Sequence, residues 1–180
     1  KTLYYGNTYS YGGQPTNCVV RVNVDGSIDT GFTPPVIDDI IKTLYCAAQE
    51  ADGRILLGGR FTTVNGVTNR TALMRLNLDG TLDASFAPLI TFPAVTSIGL
   101  LTNGQILISG WFSSVNGVAL NRLARLNADG SLDTNFVASI DADPWGRTGL
   151  LLQPDGKVLV RGSFTQINGQ PRSYLARLNS

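Results

Sequence analysis

The chain has 180 residues, of which 43% are hydrophobic and 15% are charged. Its 14 basic and 13 acidic residues give a net charge of +1, which predicts neither a nucleic-acid partner nor attraction to an acidic membrane surface. The sequence contains no histidine, so histidine zinc sites and the Ser-His-Asp and Cys-His catalytic triads are excluded.

Four similar segments follow one another along the chain. They are NCVVRVNVDGSIDTGF (17–32), GGRFTTVNGVTNRTALMRLNLDGTLDASF (58–86), SGWFSSVNGVALNRLARLNADGSLDTNF (109–136) and RGSFTQINGQPRSYLARLNS (161–180). Their shared arginine stands at 21, 75, 125 and 177, at spacings of 54, 50 and 52. A period of roughly 52 residues divides one array, residues 1–180, into repeat 1 (1–42, partial), repeat 2 (43–94), repeat 3 (95–146) and repeat 4 (147–180, partial).

Repeat 3 shows the predicted strands in order. TSIGLL (96–101) is the first strand, and Asn103-Gly104 is a two-residue hairpin signal before the second strand, QILISGWF (105–112). Asn116-Gly117 marks another turn, RLARLN (122–127) is the third strand, and LDTNF (132–136) ends the unit as a short strand.

The repeated turns predict an all-β protein, with about four blade-like repeats arranged as in a β-propeller. We expect roughly fourteen antiparallel strands and no helix longer than about one turn, because a two-residue turn signal recurs in every repeat. No apolar run reaches the roughly 18 residues of a membrane span, so we expect no membrane insertion.

The segments ILLGGRFTTVNG and LARLNADGSLDTNF resemble the delta-60 repeat, a propeller-like repeat of bacterial secreted and surface proteins. The resemblance covers the whole chain. It implies a propeller-like architecture within a large extracellular or envelope protein, and it implies no catalytic residues.

Repeat 1 departs from this pattern. A gapless alignment with repeat 2 places Lys1 at Ile55, and Asn7 where the other repeats have phenylalanine. It also places Ser10-Tyr11-Gly12 opposite Val64-Asn65-Gly66.

An N-x-D-G-[ST]-x-D turn occurs three times, starting at Asn23, Asn77 and Asn127. Its oxygens resemble part of a calcium loop, but an arginine stands where an EF-hand would need an acidic residue. We therefore expect local Asx-type turns, and we predict neither a metal nor a cofactor.

The repeated arginine precedes an aspartate by eight residues. The pairs are Arg21/Asp29, Arg75/Asp83 and Arg125/Asp133. We expect each to form an ion pair within its repeat, and an arginine ring that binds an anion at a central channel is the alternative. The repeated phenylalanines (Phe32, Phe61, Phe86, Phe112, Phe136 and Phe164) are expected in the core between blades, with sugar pockets as the alternative.

Aromatic residues outside the repeat pattern are the candidates for a contact surface, because a scaffold does not require them. They are Tyr4, Tyr5, Tyr9, Tyr11, Trp111 and Trp145. Tyrosine is enriched at interfaces, so the cluster near the start could bind a partner or a carbohydrate, or could pack the end of the array or a seam between subunits.

Two pairs of carboxylates deserve a test as catalytic groups. Asp38-Asp39 and Asp141/Asp143 lie in equivalent loops between repeats, and paired acids could serve glycoside hydrolysis. No further distinctive acid accompanies them, and Gly58-Gly59 lies in a predicted strand rather than in a phosphate loop. We therefore expect a protein without enzymatic activity.

Two cysteines, Cys18 and Cys46, are too few for a disulfide scaffold. Two buried free thiols are the expected state, and a single disulfide is the alternative.

We expect a structural or adhesive module of an extracellular or cell-surface protein. Its partners would be other protein subunits or flanking chain of the same assembly, and a glycan is a further candidate. A structural component of a virion, such as a tail or fibre protein, is the alternative, and a carbohydrate-binding propeller lectin ranks below both. Two partial repeats leave strand edges unpaired, so we expect other subunits or flanking chain, rather than closure of the chain on itself, to cover them.

Overall fold

The computed structural model describes residues 1–7, 10–39, 42–91, 94–136, 138–141 and 148–179, without the side chain of Pro15. These residues form twenty strands and no helix, so the predicted all-β class is confirmed. Within the same ranges, no helix is long and apolar enough to cross a membrane.

Each repeat contributes one antiparallel sheet in which its strands follow chain order. Repeat 1 has β1 (Thr2–Tyr5) and β4 (Val19–Val22). Repeat 2 has β5 (Thr43–Gln49), β6 (Ile55–Arg60) and β9 (Leu73–Leu76). Repeat 3 has β11 (Val95–Leu100), β12 (Ile106–Gly110) and β15 (Leu123–Leu126). Repeat 4 has β16 (Gly149–Leu152), β17 (Val158–Arg161) and β20 (Leu175–Leu178).

A small hairpin with two-residue arms leaves each sheet between its last two strands. The four hairpins are β2–β3 (Ser10–Tyr11, Gln14–Pro15), β7–β8 (Thr63–Val64, Val67–Thr68), β13–β14 (Ser114–Val115, Val118–Ala119) and β18–β19 (Gln166–Ile167, Gln170–Pro171). Asn65 and Gly66, at the tip of the second hairpin, have φ of 52° and 71°. Both values are positive, as a type I′ turn requires, which explains the Asn-Gly pair.

The strand count exceeds the prediction of about fourteen because these hairpin arms form strands of their own. The predicted strand LDTNF is not a strand but a turn, with a single bridge from Leu132 to Leu126. The amide of Asp133 donates to the carbonyl of Arg125, which folds the segment back on β15. One further short strand, β10 (Ile90–Thr91), pairs with β13 of the next repeat.

The register of repeat 1 corrects the gapless alignment by one residue. Thr2 pairs with Val22 as Ile55 pairs with Leu76, so Thr2 rather than Lys1 corresponds to Ile55. Asn7 therefore corresponds to Arg60 and not to the repeated phenylalanine. In the hairpin, Tyr11-Gly12-Gly13 corresponds to residues 64–66. Repeat 1 has one residue fewer between its hairpin and its last strand, and a gapless alignment cannot detect this.

The hydrophobic core lies between the repeats. Three clusters of buried side chains occur, one at each of the joints between repeats 1 and 2, 2 and 3, and 3 and 4. Alternate residues of each strand serve opposite joints: Met74 packs toward repeat 1, whereas Leu73 packs toward repeat 3. None of the three clusters joins repeat 4 to repeat 1.

Candidate interaction surfaces

The repeated arginine forms the expected ion pair. Its Nε lies 2.6 Å from the aspartate in the pair Arg21/Asp29, and 2.8 Å away in both Arg75/Asp83 and Arg125/Asp133. The guanidinium also covers a phenylalanine ring, at 4.3 Å for Phe32, 4.4 Å for Phe86 and 4.7 Å for Phe136. The constant spacing of eleven residues between arginine and phenylalanine was the sequence signal for this stacking, which our sequence reasoning missed.

The same arginine connects neighbouring repeats. Nη1 of Arg21 donates to the main-chain oxygen of Leu78 at 2.9 Å, and Nη1 of Arg75 donates to that of Ala128 at 2.6 Å. Arg21 and Arg75 therefore each hold an aspartate and a ring of their own repeat and a backbone oxygen of the next. This is a structural use of the side chain, in line with the predicted ion pair rather than with a ring of anion-binding arginines.

The Asn-Gly turns also cross the joints, which the sequence did not reveal. The side-chain oxygen of Asn65 accepts the amide of Val36 at 2.8 Å, and the amide of Asn65 donates to the carbonyl of Val36 at 2.8 Å. Asn116 makes the same reciprocal pair with Leu89, and Asn168 with Ser139. The asparagine thus forms a reciprocal pair of hydrogen bonds with one residue of the preceding repeat, as two paired strand residues do.

The calcium-like turns are Asx turns. Asp79 Oδ1 accepts the amide of Thr81 at 3.0 Å and its hydroxyl at 2.7 Å, and Asp25 and Asp129 do the same with Ser27 and Ser131. These hydrogen bonds, from the hydroxyl first and then the amide, hold the pKa of each of the three carboxyls below its usual range. Across the ranges given above, no group of three or more His, Cys, Asp or Glu residues could hold a metal ion.

The acids considered for catalysis cap hairpins of the following repeat. Asp39 accepts the amide and hydroxyl of Thr62 and the amide of Thr63. Asp141 accepts the equivalent groups of Thr165 and Gln166, and the Thr165 hydroxyl is the main reason that the pKa of Asp141 is lowered. Asp38 accepts the amide of Gly66 at 2.6 Å. Asp143 lies outside the described residues.

The aromatic candidates fall into separate places. The rings of Tyr4 and Tyr11 lie 5.6 Å apart on repeat 1, and the Tyr11 hydroxyl reaches the carbonyl of Gly26 at 3.4 Å. Tyr5 lines a cleft between repeats 1 and 2, with Leu3 and Ala47 among the other lining residues. Trp111 packs edge-on against Tyr45, with ring centroids 5.9 Å apart. Tyr9 and Trp145 lie outside the described residues.

The last sheet carries an exposed apolar face. Leu175 is 59% exposed, whereas Leu73 and Leu123, at the same position of repeats 2 and 3, are 3% and 0% exposed. Tyr174 (70%) and Leu151 (62%) are exposed on the same sheet or at its edge. We call Leu151, Tyr174 and Leu175 the outgoing face. In the earlier repeats, the next repeat covers this face.

The cysteines are free, as expected. Burial raises the pKa of Cys18, and it raises the pKa of Cys46 to about 12. Both thiols therefore stay protonated at neutral pH and serve as small packing groups.

Comparison with known proteins gives a family. No curated protein shows significant similarity to the chain. The family model described as "Domain of unknown function (DUF5122) beta-propeller" matches residues 1–32, 50–86, 101–136 and 153–180, one segment in each repeat. These segments make up well over half of the chain, and they agree with the propeller-like repeat expected from the resemblance to the delta-60 repeat. The chain therefore belongs to the DUF5122 beta-propeller family.

Proposed function

We propose that this chain is a non-enzymatic structural repeat module of a larger extracellular or envelope assembly, and that it makes protein–protein contacts through the ends of its array. The observation that carries the proposal is the outgoing face of repeat 4. There Leu175 is 59% exposed, whereas its equivalents in repeats 2 and 3, Leu73 and Leu123, are buried.

The partner that we propose for the outgoing face is repeat 1 of a second molecule of this chain. At all three joints, the same kind of outgoing face is covered by the opposite side of another repeat. Repeat 1 leaves such an opposite side uncovered. There Tyr4, which is 46% exposed, stands at the position of the fully buried Leu57. Head-to-tail contact would bury both faces, at about 25 cal/mol for each Å² of apolar surface.

Two further observations support the non-enzymatic part of the proposal. The acids considered for catalysis, Asp39 and Asp141, use their oxygens to cap hairpins. Asp133 and its equivalents are occupied by the repeated arginine. The extracellular or envelope location rests on the resemblance to repeats of secreted and surface proteins.

The experiment is light scattering on the purified chain over a range of protein concentrations. We expect the mass to rise above that of the monomer as concentration increases, because the two faces associate by mass action. Leu151→Lys should shift this rise to higher concentration by about tenfold or more, since it buries a charge in the contact. Val24→Lys, at a fully exposed turn of repeat 1, is the matched control and should leave the association unchanged.

Two results would overturn the proposal. One is a monomer at every concentration with protected amides in β1 and β20. The other is an association that Leu151→Lys and Val24→Lys affect equally.

A further inference from the structure

A small cavity lies where the first strands of three repeats come together. It has a volume of about 250 Å³. Tyr45 and Thr96 are bulge residues of β5 and β11, each left out of the ladder with the second strand, and Thr148 holds the equivalent place just before β16. All three line the cavity, together with Ser97, Gly149, Leu150 and Arg161.

Arg161 brings a positive charge to this cavity. No carboxylate of the described residues pairs with it, and no acidic side chain lines the cavity. Gly58 and Ser109 hold its position in repeats 2 and 3, so the arginine is not part of the repeat pattern. Its side chain lies against Gly149, where an added Cβ would come within 2.8 Å of the arginine Nε. Glycine thus leaves room for the guanidinium.

Thr148 adds a buried hydroxyl to the cavity. The residue is 2% exposed, and its Oγ1 makes no hydrogen bond to the described residues. Its main-chain oxygen, in contrast, accepts hydrogen bonds from the hydroxyls of Thr96 at 3.0 Å and Ser109 at 3.2 Å. A buried polar atom that stays unsatisfied is unfavourable, and a ligand acceptor in the cavity would satisfy it.

Ser97 supplies a second hydroxyl. Its oxygen accepts the amide of Leu150 at 3.1 Å, so that its own hydrogen can be donated elsewhere. The polar side chains of the cavity therefore offer hydrogen-bond donors and one cation, and their chemistry matches an anion with several oxygen acceptors.

We propose that this cavity binds the carboxylate of a small ligand, with the guanidinium of Arg161 and the hydroxyl of Thr148 as its donors. A carboxylate accepts two parallel hydrogen bonds from the arginine fork and has lone pairs left for the hydroxyls. Its source is an acidic sugar or a simple organic acid, and both present the same group. Arg161 pairs with Leu175 across β17 and β20, so the site borders the outgoing face, and binding has to be measured on the monomer.

The experiment is a titration of the ¹⁵N-labelled chain, followed by nuclear magnetic resonance, at a protein concentration where light scattering gives the monomer mass. The probes are sodium glucuronate, sodium acetate and uncharged glucose. We expect saturable shifts of the Arg161 Nε–H signal and of the Thr148, Gly149 and Leu150 amides with at least one of the two carboxylates. Binding of glucuronate but not acetate would identify the ligand as an acidic sugar. Binding of acetate would show that a carboxylate group is sufficient for binding.

Three variants test the donors. Arg161→Gln should weaken binding by at least about tenfold, because a charged, bidentate donor is lost. Thr148→Val should weaken binding about threefold or more while leaving the thermal midpoint unchanged or higher, because its hydroxyl makes no hydrogen bond to the described residues. Arg172→Gln removes the same charge from the residue after β19, outside the cavity, and should bind as the unchanged chain does.

Three outcomes would overturn the proposal. They are absence of saturable shifts with both carboxylates, equal binding of glucose, and equal weakening by Arg161→Gln and Arg172→Gln. None of these results bears on the oligomeric state, so a failure here is distinct from a failure of the proposed function.

Discussion

The guanidinium of Arg75 donates a hydrogen bond of 2.6 Å to the main-chain oxygen of Ala128, which lies in the next repeat. The same side chain is only 4% exposed and forms an ion pair with Asp83. Arg75 is therefore a buried charge with hydrogen-bond partners in both repeats of one joint. Its replacement tests how much this joint contributes to stability.

We expect Arg75→Met to lower the free energy of unfolding by about 3 kcal/mol, because Asp83 would lose its 2.8 Å ion pair and keep only the longer one with Arg54, at 3.4 Å. The measurement is urea unfolding followed by circular dichroism. Arg177→Met is the matched control, since Arg177 holds the same position in repeat 4 but is exposed. That variant should change the free energy by no more than about 0.5 kcal/mol. Similar effects of both variants would contradict the assigned role of Arg75.

Gly110 allows two backbones to approach each other. A Cβ at this position would lie 2.0 Å from the carbonyl oxygen of Ala94 and 2.9 Å from the Cα of Val95. We expect Gly110→Ala to destabilise the chain by about 3 kcal/mol, because main-chain atoms of the adjacent strand would have to move.

Gly31→Ala is the control for this substitution. The nearest atom to its Cβ is Asp29 Oδ1, at an ordinary 3.6 Å. Thermal unfolding of both variants makes the comparison. Equal thermal midpoints of the two variants would show that the backbones at Gly110 move apart without a loss of stability, which would contradict the prediction.

Asp29 makes stability depend on pH in the acid range. Hydrogen bonds from Lys1 and Arg21 lower the pKa of its carboxyl from 3.8 to about 2. Since the folded state favours the ionised carboxyl, the stabilisation is fully present above about pH 4 and is lost as the pH falls toward 2. The unchanged chain should thus be more stable than Asp29→Asn at pH 6, and this difference should shrink toward pH 2. Urea unfolding at several pH values measures it, and a constant difference would contradict the ion pairs.

We expect calcium to leave stability unchanged. Oδ1 of Asp79 already accepts two hydrogen bonds within its turn, and Arg75 lies where a calcium loop would need an acid. The thermal midpoint in excess calcium should therefore equal that in a chelator, and Asp79→Ala should lower the midpoint equally in both. A midpoint that calcium raises in the unchanged chain but not in this variant would establish a metal site.

The fold could be predicted from the sequence because the residues that determine the strands and turns lie close together along the chain. The period of roughly 52 residues and the Asn-Gly and Asp-Gly turns fix the strand order within each sheet. The Asp eight residues after each arginine likewise predicted the ion pairs, because the two residues flank one turn.

Contacts across the joints could not be predicted from the sequence. Asn116 pairs with Leu89 at a separation of 27 residues, and its partner is a main-chain group that no residue type marks. The cavity was missed for a similar reason, because Arg161 and Thr148 stand out only once the bulges bring three strands together. The one-residue shift in the alignment of repeat 1 could be recognised only from the observed pairing of Thr2 with Val22.

The arginine contact at the joint has a consequence for how such arrays change over evolution. Leu78 and Ala128 differ in side chain, yet each accepts the arginine of the preceding repeat through its backbone oxygen. A main-chain acceptor is present whatever residue occupies the position. A gene duplication or recombination that inserts a whole repeat therefore preserves this hydrogen bond at the new joint, without a compensating substitution at the acceptor position.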